Sequence, residues 1–189
     1  MSRPRVILAS ASPRRRELLT LIGIDHEVRP ANIDESYLPG ETPREHAERL
    51  ARGKAAAIDV TDAVTIGSDT IVVVDGDVLG KPRDRQHAAE MLRRLSGRSH
   101  IVMTGVAVGW QGKIVSGLEE VEVAFRHLSL DDIDRYIDTE EPMDKAGAYG
   151  IQGRAGAFVA RLEGSYSGVM GLPLYETAAL LARIGFPVL

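Results

Sequence analysis

The chain has 189 residues, of which 44% are hydrophobic and 26% charged, and it contains no cysteine. This composition predicts one soluble globular domain over residues 1–189, with a core that needs no disulfide. Without cysteine, catalysis must depend on oxygen or nitrogen groups or on a hard metal ion. The net charge of −4 argues against a protein that coats nucleic acid, since such binding rests on neutralising backbone phosphates.

The sequence shows no targeting segment. The apolar run at residues 6–9 is too short for a signal peptide, and no run of about 18 apolar residues could span a membrane. We therefore expect a cytoplasmic protein with no membrane partner.

The first part of the chain alternates strands and helices. Residues 5–9 predict a buried strand, and the Ser-Pro pair at residues 12–13 begins a helix that ends at Gly23. A short strand at residues 26–29 leads into a polar loop. The sequence TPRE at residues 42–45 has capping-box spacing and begins a second helix.

Strands dominate the middle of the chain. Residues 64–66 and 71–74 predict strand on either side of a polar interruption, GSDT at residues 67–70. Asp75-Gly76 predicts a two-residue hairpin turn into another strand. Asp84 is the expected cap of a third helix.

The last part of the chain returns to mixed elements. Strands are expected at residues 101–108, 113–115, 121–125 and 157–162, and helices are expected to begin at Ser129 and Leu174. Helices alternating with strands and hairpins predict an α/β fold with a mixed β-sheet flanked by helices.

A first candidate site lies where the first strand ends. Ser10 is followed by three arginines, Arg14, Arg15 and Arg16, in the first helical turn. There each exposed cation opposes the helix dipole by roughly 0.3–1 kcal/mol. Amides, hydroxyls and guanidinium groups at one point form a phosphate site. The alternative is that the arginines merely point into solvent.

A second candidate site is acidic. Asp69 lies within an apolar run, and a buried carboxylate must be hydrogen-bonded, paired or metal-bound; the alternative is a turn with a local side-chain hydrogen bond. Glu35, Lys54 and Lys81 are isolated charges that singly would lie at the surface. Together with Asp69 they would supply oxygen ligands for Mg²⁺ and positive charge for phosphate oxygens.

A third candidate site is the glycine-rich segment DKAGAYGIQG at residues 144–153. Glycine is costly to order, which favours a binding role with close approach of the backbone to a ligand over a flexible linker. The amide of Gln152 offers one donor and one acceptor, which complement O4 and N3–H of thymine and uracil.

These motifs together resemble the Maf family of nucleotide pyrophosphatases. The sequence S-x-S-P-R-R at residues 10–15, GSDT, K-P at residues 81–82 and G-L-P at residues 171–173 occur in the order typical of that family. The glycine-rich segment looks like the branch that hydrolyses dTTP and UTP. One departure is Gly168, which lies in a loop where many relatives have asparagine.

The resemblance implies a Maf/ITPase-like fold with two lobes around a central cleft, a divalent cation (Mg²⁺ or Mn²⁺), a nucleotide substrate and often a homodimer. It matches Asp69 to the family's catalytic base and Glu35 to a residue of the cleft. We expect Glu35 and Asp69 to be the metal ligands. The resemblance matches Arg14, Thr70 and Gln152 to positions linked with substrate choice, and Lys54 and Lys81 to residues of the cleft. The expected substrate-binding and specificity residues are therefore Ser10, Arg14, Arg15, Lys54, Thr70, Lys81 and Gln152.

We therefore predict a nucleoside triphosphate pyrophosphatase that converts dTTP and UTP to the monophosphate and pyrophosphate, with CTP and modified pyrimidine nucleotides as further candidates. A metal-activated water would attack the α-phosphorus, and Asp69 would serve as metal ligand or general base. The alternative is a non-hydrolytic nucleotide-binding module that regulates a protein partner. Asp69 favours the enzyme, because a carboxylate repels phosphates unless a metal or a hydrolytic role justifies it.

Overall fold

A computed structural model describes residues 4–188. Its strands are β1 (Arg5–Leu8), β2 (Glu27–Val28), β3 (Ala63–Val74), β4 (Asp77–Leu79), β5 (Ser99–Trp110), β6 (Lys113–Phe125) and β7 (Val159–Glu163). Its α-helices are α1 (Pro13–Leu21), α2 (Pro43–Ala56), α3 (Arg85–Leu95), α4 (Leu130–Ile137), α5 (Tyr166–Met170) and α6 (Leu174–Arg183).

The described strands form one open, mixed sheet in the order β2-β1-β3-β5-β6-β7, with β4 paired to β3. β1 runs parallel to β2 and β3, whereas the pairs β3–β4 and β6–β7 are antiparallel. The expected mixed sheet flanked by helices is therefore confirmed.

Local sequence determines where several helices begin. The Thr42 and Ser129 side chains each accept a hydrogen bond from the third helical N–H, in complete capping boxes, and Asp84 caps α3 through His87 N–H. The predicted hairpin turn is also present, because Asp75 and Gly76 both have positive φ.

One expectation about secondary structure was wrong, and one short helix was not predicted. The GSDT sequence does not interrupt a strand, because β3 continues from Ala63 to Val74 and Asp69 lies within it. The turn considered for this motif is thereby excluded. The short helix α5 was not predicted; its Gly168 N–H donates to Ser165 Oγ over 3.2 Å.

The chain divides into two compact units. The first unit comprises the described residues of Met1–Asp69, Thr104–Glu119 and Gly171–Leu189, and the second comprises Thr70–Met103 and Glu120–Met170. In the first unit, β1 is almost completely buried from Val6 to Leu8. In the second, His100, Phe125 and Tyr149 form a buried cluster of edge-to-face rings.

Candidate active site

Helix α2 lies against the sheet of the first unit at two glycines. A Cβ atom at Gly67 in β3 would overlap Ala51 O and lie 2.5 Å from Ala55 N, and one at Gly105 in β5 would overlap Ala47 O. Glycine at these positions therefore allows the α2 backbone to approach the strands directly. This close approach brings Lys54 of α2 next to the strand that carries Asp69.

Lys54 links the two acidic residues of the candidate site. Its Nζ lies 2.7 Å from Asp69 Oδ1 and 2.7 Å from Glu35 Oε1. The side chains of Lys54 and Asp69 are only 10% and 11% exposed, whereas that of Glu35 is 57% exposed. The acidic residues and the lysine predicted from sequence thus converge in the first unit, with a buried ion pair at their centre.

The start of α1 presents polar groups to the same unit. Arg15 Nε donates to Gly171 O over 2.7 Å, and Arg15 Nη1 donates to Ser10 Oγ over 3.1 Å. No acidic residue lies in the first turn of α1, and Ser12 makes no side-chain cap hydrogen bond. The hydrogen bonds to Gly171 and Ser10 therefore hold Arg15 at the N-terminus of α1. This end of the helix carries partial positive charge, which favours an anion.

The three arginines differ in exposure. Arg14 and Arg15 are half-buried, whereas Arg16 is exposed. Burial lowers the pKa of the Arg15 guanidinium, and so does the charge of Arg14, while the carboxylates of Asp69 and Glu35 act in the opposite direction. The solvent-facing alternative therefore holds for Arg16. Arg15 instead interacts electrostatically with Asp69, Arg14 and Glu35.

The loop that carries Glu35 is attached to α2 by Glu41. The Glu41 carboxylate, with a side chain only 6% exposed, accepts hydrogen bonds from Arg49 and Leu38 N and contacts His46 Nδ1. Arg49 also donates to Ser36 O over 2.9 Å, and Tyr37 stacks on His46. Hydrogen bonds to Arg49 are the main reason that the pKa of Glu41 falls to about 2.

The remaining predicted residues belong to the second unit. Thr70 is half-buried in β3, whereas Lys81 and Gln152 are exposed. The glycine-rich segment lies next to the end of β4, since Gly147 N–H donates to Gly80 O over 3.1 Å. The segment that carries Gln152 and the residue before Lys81 are therefore joined within this unit.

The glycines of this segment are explained by packing within the protein. A Cβ atom at Gly147 would lie 2.9 Å from Val72 Cγ2, and one at Gly150 would lie 2.7 Å from Lys145 Cε. At Gly153 it would overlap the Glu141 carboxylate. Close approach of neighbouring side chains thus accounts for glycine at these three positions, and close approach of the segment to a ligand stays a prediction.

Two functional groups were missed in the sequence. The Ser68 hydroxyl lies 2.8 Å from both Gly105 O and Gly171 O, so it helps to fix the carbonyl that Arg15 contacts. The G-L-P motif pointed to Gly171 but not to this role. No local signal marked Glu41, because its side-chain partners, His46 and Arg49, lie further along the chain on α2.

The first unit therefore contains a buried Lys54–Asp69 ion pair and, at the start of α1, a helix N-terminus that carries Arg15. Together with the open mixed sheet, these features are typical of an α/β protein that binds an anionic ligand near a carboxylate. Residues 5–184 match the family model described as Maf-like protein. The chain therefore belongs to the Maf family.

Two relatives are similar in sequence to this chain over almost its whole length. A "dTTP/UTP pyrophosphatase" of Anaeromyxobacter dehalogenans (strain 2CP-C) is 54% identical, with 98% of this chain and 96% of the relative covered. A protein of the same name from Symbiobacterium thermophilum is 51% identical, with 97% and 96% covered.

A solved structure supports the fold. A HAM1 protein from Coxiella burnetii superposes with a TM-score of 0.53 over 96% of this chain and 100% of that chain, at 14% sequence identity. At this identity the likeness concerns the fold alone.

Among residues 4–188, no helix combines the length and apolar character required to cross a membrane.

Proposed function

We propose that this chain hydrolyses dTTP and UTP to the corresponding nucleoside monophosphate and pyrophosphate. The observation that carries the proposal is the buried Asp69–Lys54 pair, joined by Glu35 and sharing its electrostatic environment with Arg15. The names of the relatives that match at about half identity support the same activity. Positively charged groups alone would suffice for a protein that binds a nucleotide without hydrolysing it. The buried Asp69 carboxylate supports hydrolysis instead, because a carboxylate repels phosphates unless it has a metal-binding or hydrolytic role.

The donor set suits a hard divalent cation, Mg²⁺ or Mn²⁺. Asp69 and Glu35 each place a carboxylate oxygen 2.7 Å from Lys54 Nζ, so the two carboxylates lie near each other around this ammonium group. Among the described residues, no group of three or more acidic or histidine side chains could hold a metal. Mg²⁺ is commonly bound by one or two carboxylates together with substrate phosphates, which matches this pair.

In this proposal Asp69 and Glu35 would hold the cation. When bound, the cation supplies positive charge to the phosphate oxygens and acidity to a water molecule. Asp69 orients that water or accepts its proton, with attack directed at the α-phosphorus. Lys54 keeps the Asp69 carboxylate in place.

The positive side chains bind and stabilise the triphosphate. Arg15, fixed by Ser10 and Gly171, contributes a guanidinium whose direction is set before substrate binds. Arg14, Lys54 and Lys81 add charge that offsets the charge developing on the leaving pyrophosphate. A homodimer, a cytoplasmic location and the lack of a nucleic-acid partner remain predictions.

Base selection is assigned to Gln152, with Thr70 as a further specificity residue. The Gln152 amide matches the donor–acceptor edge of thymine and uracil, and after a flip it also matches cytosine. Purines are larger, so ATP and GTP are expected to be poorer substrates. We expect CTP to be hydrolysed more slowly than dTTP and UTP but faster than ATP and GTP.

The experiment is a panel of nucleoside triphosphates with Mg²⁺ or Mn²⁺, with and without EDTA, for wild-type protein and Gln152→Glu. We expect pyrophosphate release from dTTP and UTP that EDTA stops and Mg²⁺ restores. Gln152→Glu removes a donor and adds a repulsive charge, so transition-state stabilisation for these substrates should fall by about 1.5–3 kcal/mol. Faster hydrolysis of ATP or GTP by the wild type, or an unchanged base ranking in the variant, would refute the base assignment.

A further inference from the structure

The turn that carries Gln152 has a defined backbone conformation. Gly153 N–H donates to Gly150 O over 3.0 Å, which closes a four-residue turn. Within it Ile151 is buried, whereas Gln152 is exposed. The direction of the Gln152 side chain therefore depends on how this turn is held.

Tyr136 of α4 and Glu141 hold the turn from both sides. The Tyr136 hydroxyl donates to Glu141 Oε1 over 2.9 Å and accepts a hydrogen bond from Gly150 N–H over 3.1 Å. Glu141 Oε2 accepts from Arg154 N–H over 3.1 Å. One hydroxyl–carboxylate pair thus binds the backbone amides two residues before and two residues after Gln152.

Close packing leaves this pair little room to move. Tyr136 is 3% exposed, and its ring packs edge-to-face on Phe158 with centroids 5.1 Å apart. The Glu141 carboxylate lies so close to Gly153 that a Cβ atom there would overlap it. Lys145 Nζ also donates to the Glu141 carbonyl over 2.7 Å. A shift of the turn would therefore break contacts on both sides.

From these contacts we infer that Tyr136 and Glu141 are positioning residues for base selection. Their hydrogen-bonded pair holds the turn so that the Gln152 amide distinguishes uracil from cytosine. The inference rests on the proposed function, in which Gln152 contacts the base. A glutamine amide can match either base by flipping, so discrimination requires that its position be fixed.

The test compares kcat/KM for UTP with kcat/KM for CTP in wild-type protein, Tyr136→Phe and Glu141→Gln. Tyr136→Phe keeps the ring against Phe158 but removes the hydroxyl, and Glu141→Gln keeps the shape but removes the charge. We expect the UTP/CTP ratio to fall by at least about 3- to 10-fold in each variant, the range for one lost hydrogen bond, because Glu141→Gln removes one acceptor and Tyr136→Phe removes two hydrogen bonds.

Matched controls are Tyr175→Phe, at a tyrosine that is 79% exposed on α6, and Glu140→Gln, at the exposed residue next to Glu141. Both should retain the wild-type ratio. A purely structural role for Tyr136 and Glu141 would lower kcat/KM for UTP and CTP equally, and an unchanged ratio in the two variants would overturn the inference.

A double-mutant cycle separates this inference from the proposed function. Once Gln152→Ala has removed the amide, Tyr136→Phe should reduce the ratio no further. A further reduction in the Gln152→Ala background would contradict positioning through Gln152. If Gln152→Ala lowers the ratio but Tyr136→Phe and Glu141→Gln do not, only the inference fails. If the wild type releases no pyrophosphate from UTP, both fail.

Discussion

Asp69 is held in place before any substrate binds. It is 8% exposed, and the ammonium group of Lys54 donates to it over 2.7 Å. A buried carboxylate that accepts a hydrogen bond from an ammonium group keeps its position. Asp69 therefore combines a fixed geometry with a negative charge, the two properties needed by a metal ligand or a general base.

The first prediction concerns this charge. Asp69→Asn keeps the shape of the side chain but cannot accept a proton, so kcat should fall by about 10²- to 10⁴-fold. Folding should persist because Lys54 retains Glu35 as a partner. Steady-state kinetics and thermal unfolding measure the two effects separately.

Asp59→Asn serves as the matched control, because Asp59 is exposed on a loop of the same unit. It should leave both kcat and the melting temperature unchanged. A value of kcat for Asp69→Asn close to that of wild type would remove Asp69 from the mechanism.

At the scale of elements, the position of Lys54 depends on two glycines. Gly67 precedes Asp69 by two residues in β3, and the α2 backbone contacts it directly. The GSDT motif therefore has two roles in one strand. Gly67 allows the α2 backbone to pack directly on the strand, and Asp69 forms the ion pair with Lys54 of that helix.

The second prediction follows from this contact. Gly67→Ala would force α2 away from the sheet, and such overpacking costs typically about 1–3 kcal/mol in the free energy of unfolding. Because Lys54 moves with α2, activity should fall even at temperatures where the variant is folded. Denaturant unfolding and kcat are the measurements.

Gly117→Ala in β6 is the matched control, since a Cβ atom there would meet only Leu180 Cδ1 at 3.9 Å. This substitution should be tolerated in stability and activity. Equal effects of Gly67→Ala and Gly117→Ala on the free energy of unfolding and on kcat would contradict a role for the close approach of α2 at Gly67.

The loop before α2 provides a prediction about pH. Hydrogen bonds from Arg49 lower the pKa of Glu41 from its ordinary value of 4.5 to about 2, against the opposing effect of burial. A carboxyl group with a lowered folded-state pKa stabilises the fold above its unfolded pKa. That contribution is lost as the pH falls from about 4.5 through about 2.

Glu41→Gln should therefore destabilise the protein at pH 7, and the difference from wild type should shrink as the pH falls through this window. The measurement is the free energy of unfolding at several pH values, with hydrogen exchange of residues 30–41 as a readout of the loop. Glu90→Gln, at an exposed site on α3, is the control. A difference that is constant with pH would contradict this role of Glu41.

Features set by neighbouring residues could be predicted from sequence. The caps at Thr42, Asp84 and Ser129 and the turn at Asp75-Gly76 depend on a few adjacent side chains, and all were predicted correctly. The continuity of β3 through Asp69 could not be predicted in this way. A polar stretch remains strand only because partner strands and α2 surround it, and those contacts come from distant parts of the chain.

The candidate site shows the same division. Ser10, Arg15, Glu35, Lys54 and Asp69 could be named from residue type and motif, and the first unit brings them together. The supporting residues could not be named, since Glu41, Tyr136 and Glu141 resemble ordinary surface residues until their partners are known. Their importance lies in tertiary contacts that no local pattern encodes.

At the scale of the whole molecule, the family match extends from residue 5 to residue 184, almost the entire chain. The fold likeness to the HAM1 protein extends over 96% of the chain at only 14% identity. A fold can persist while its chemistry changes, so the activity has to be argued from the site. Here that site is the pair of Asp69 and Lys54 with the groups around it.

The most direct test is the fate of UTP incubated with the protein and Mg²⁺ in water enriched in heavy oxygen, with products identified by phosphorus NMR and mass spectrometry. Attack of water at the α-phosphorus predicts equal amounts of UMP and pyrophosphate, with the heavy oxygen in UMP alone. Heavy oxygen in pyrophosphate, formation of UDP with orthophosphate, or unchanged UTP would contradict the account.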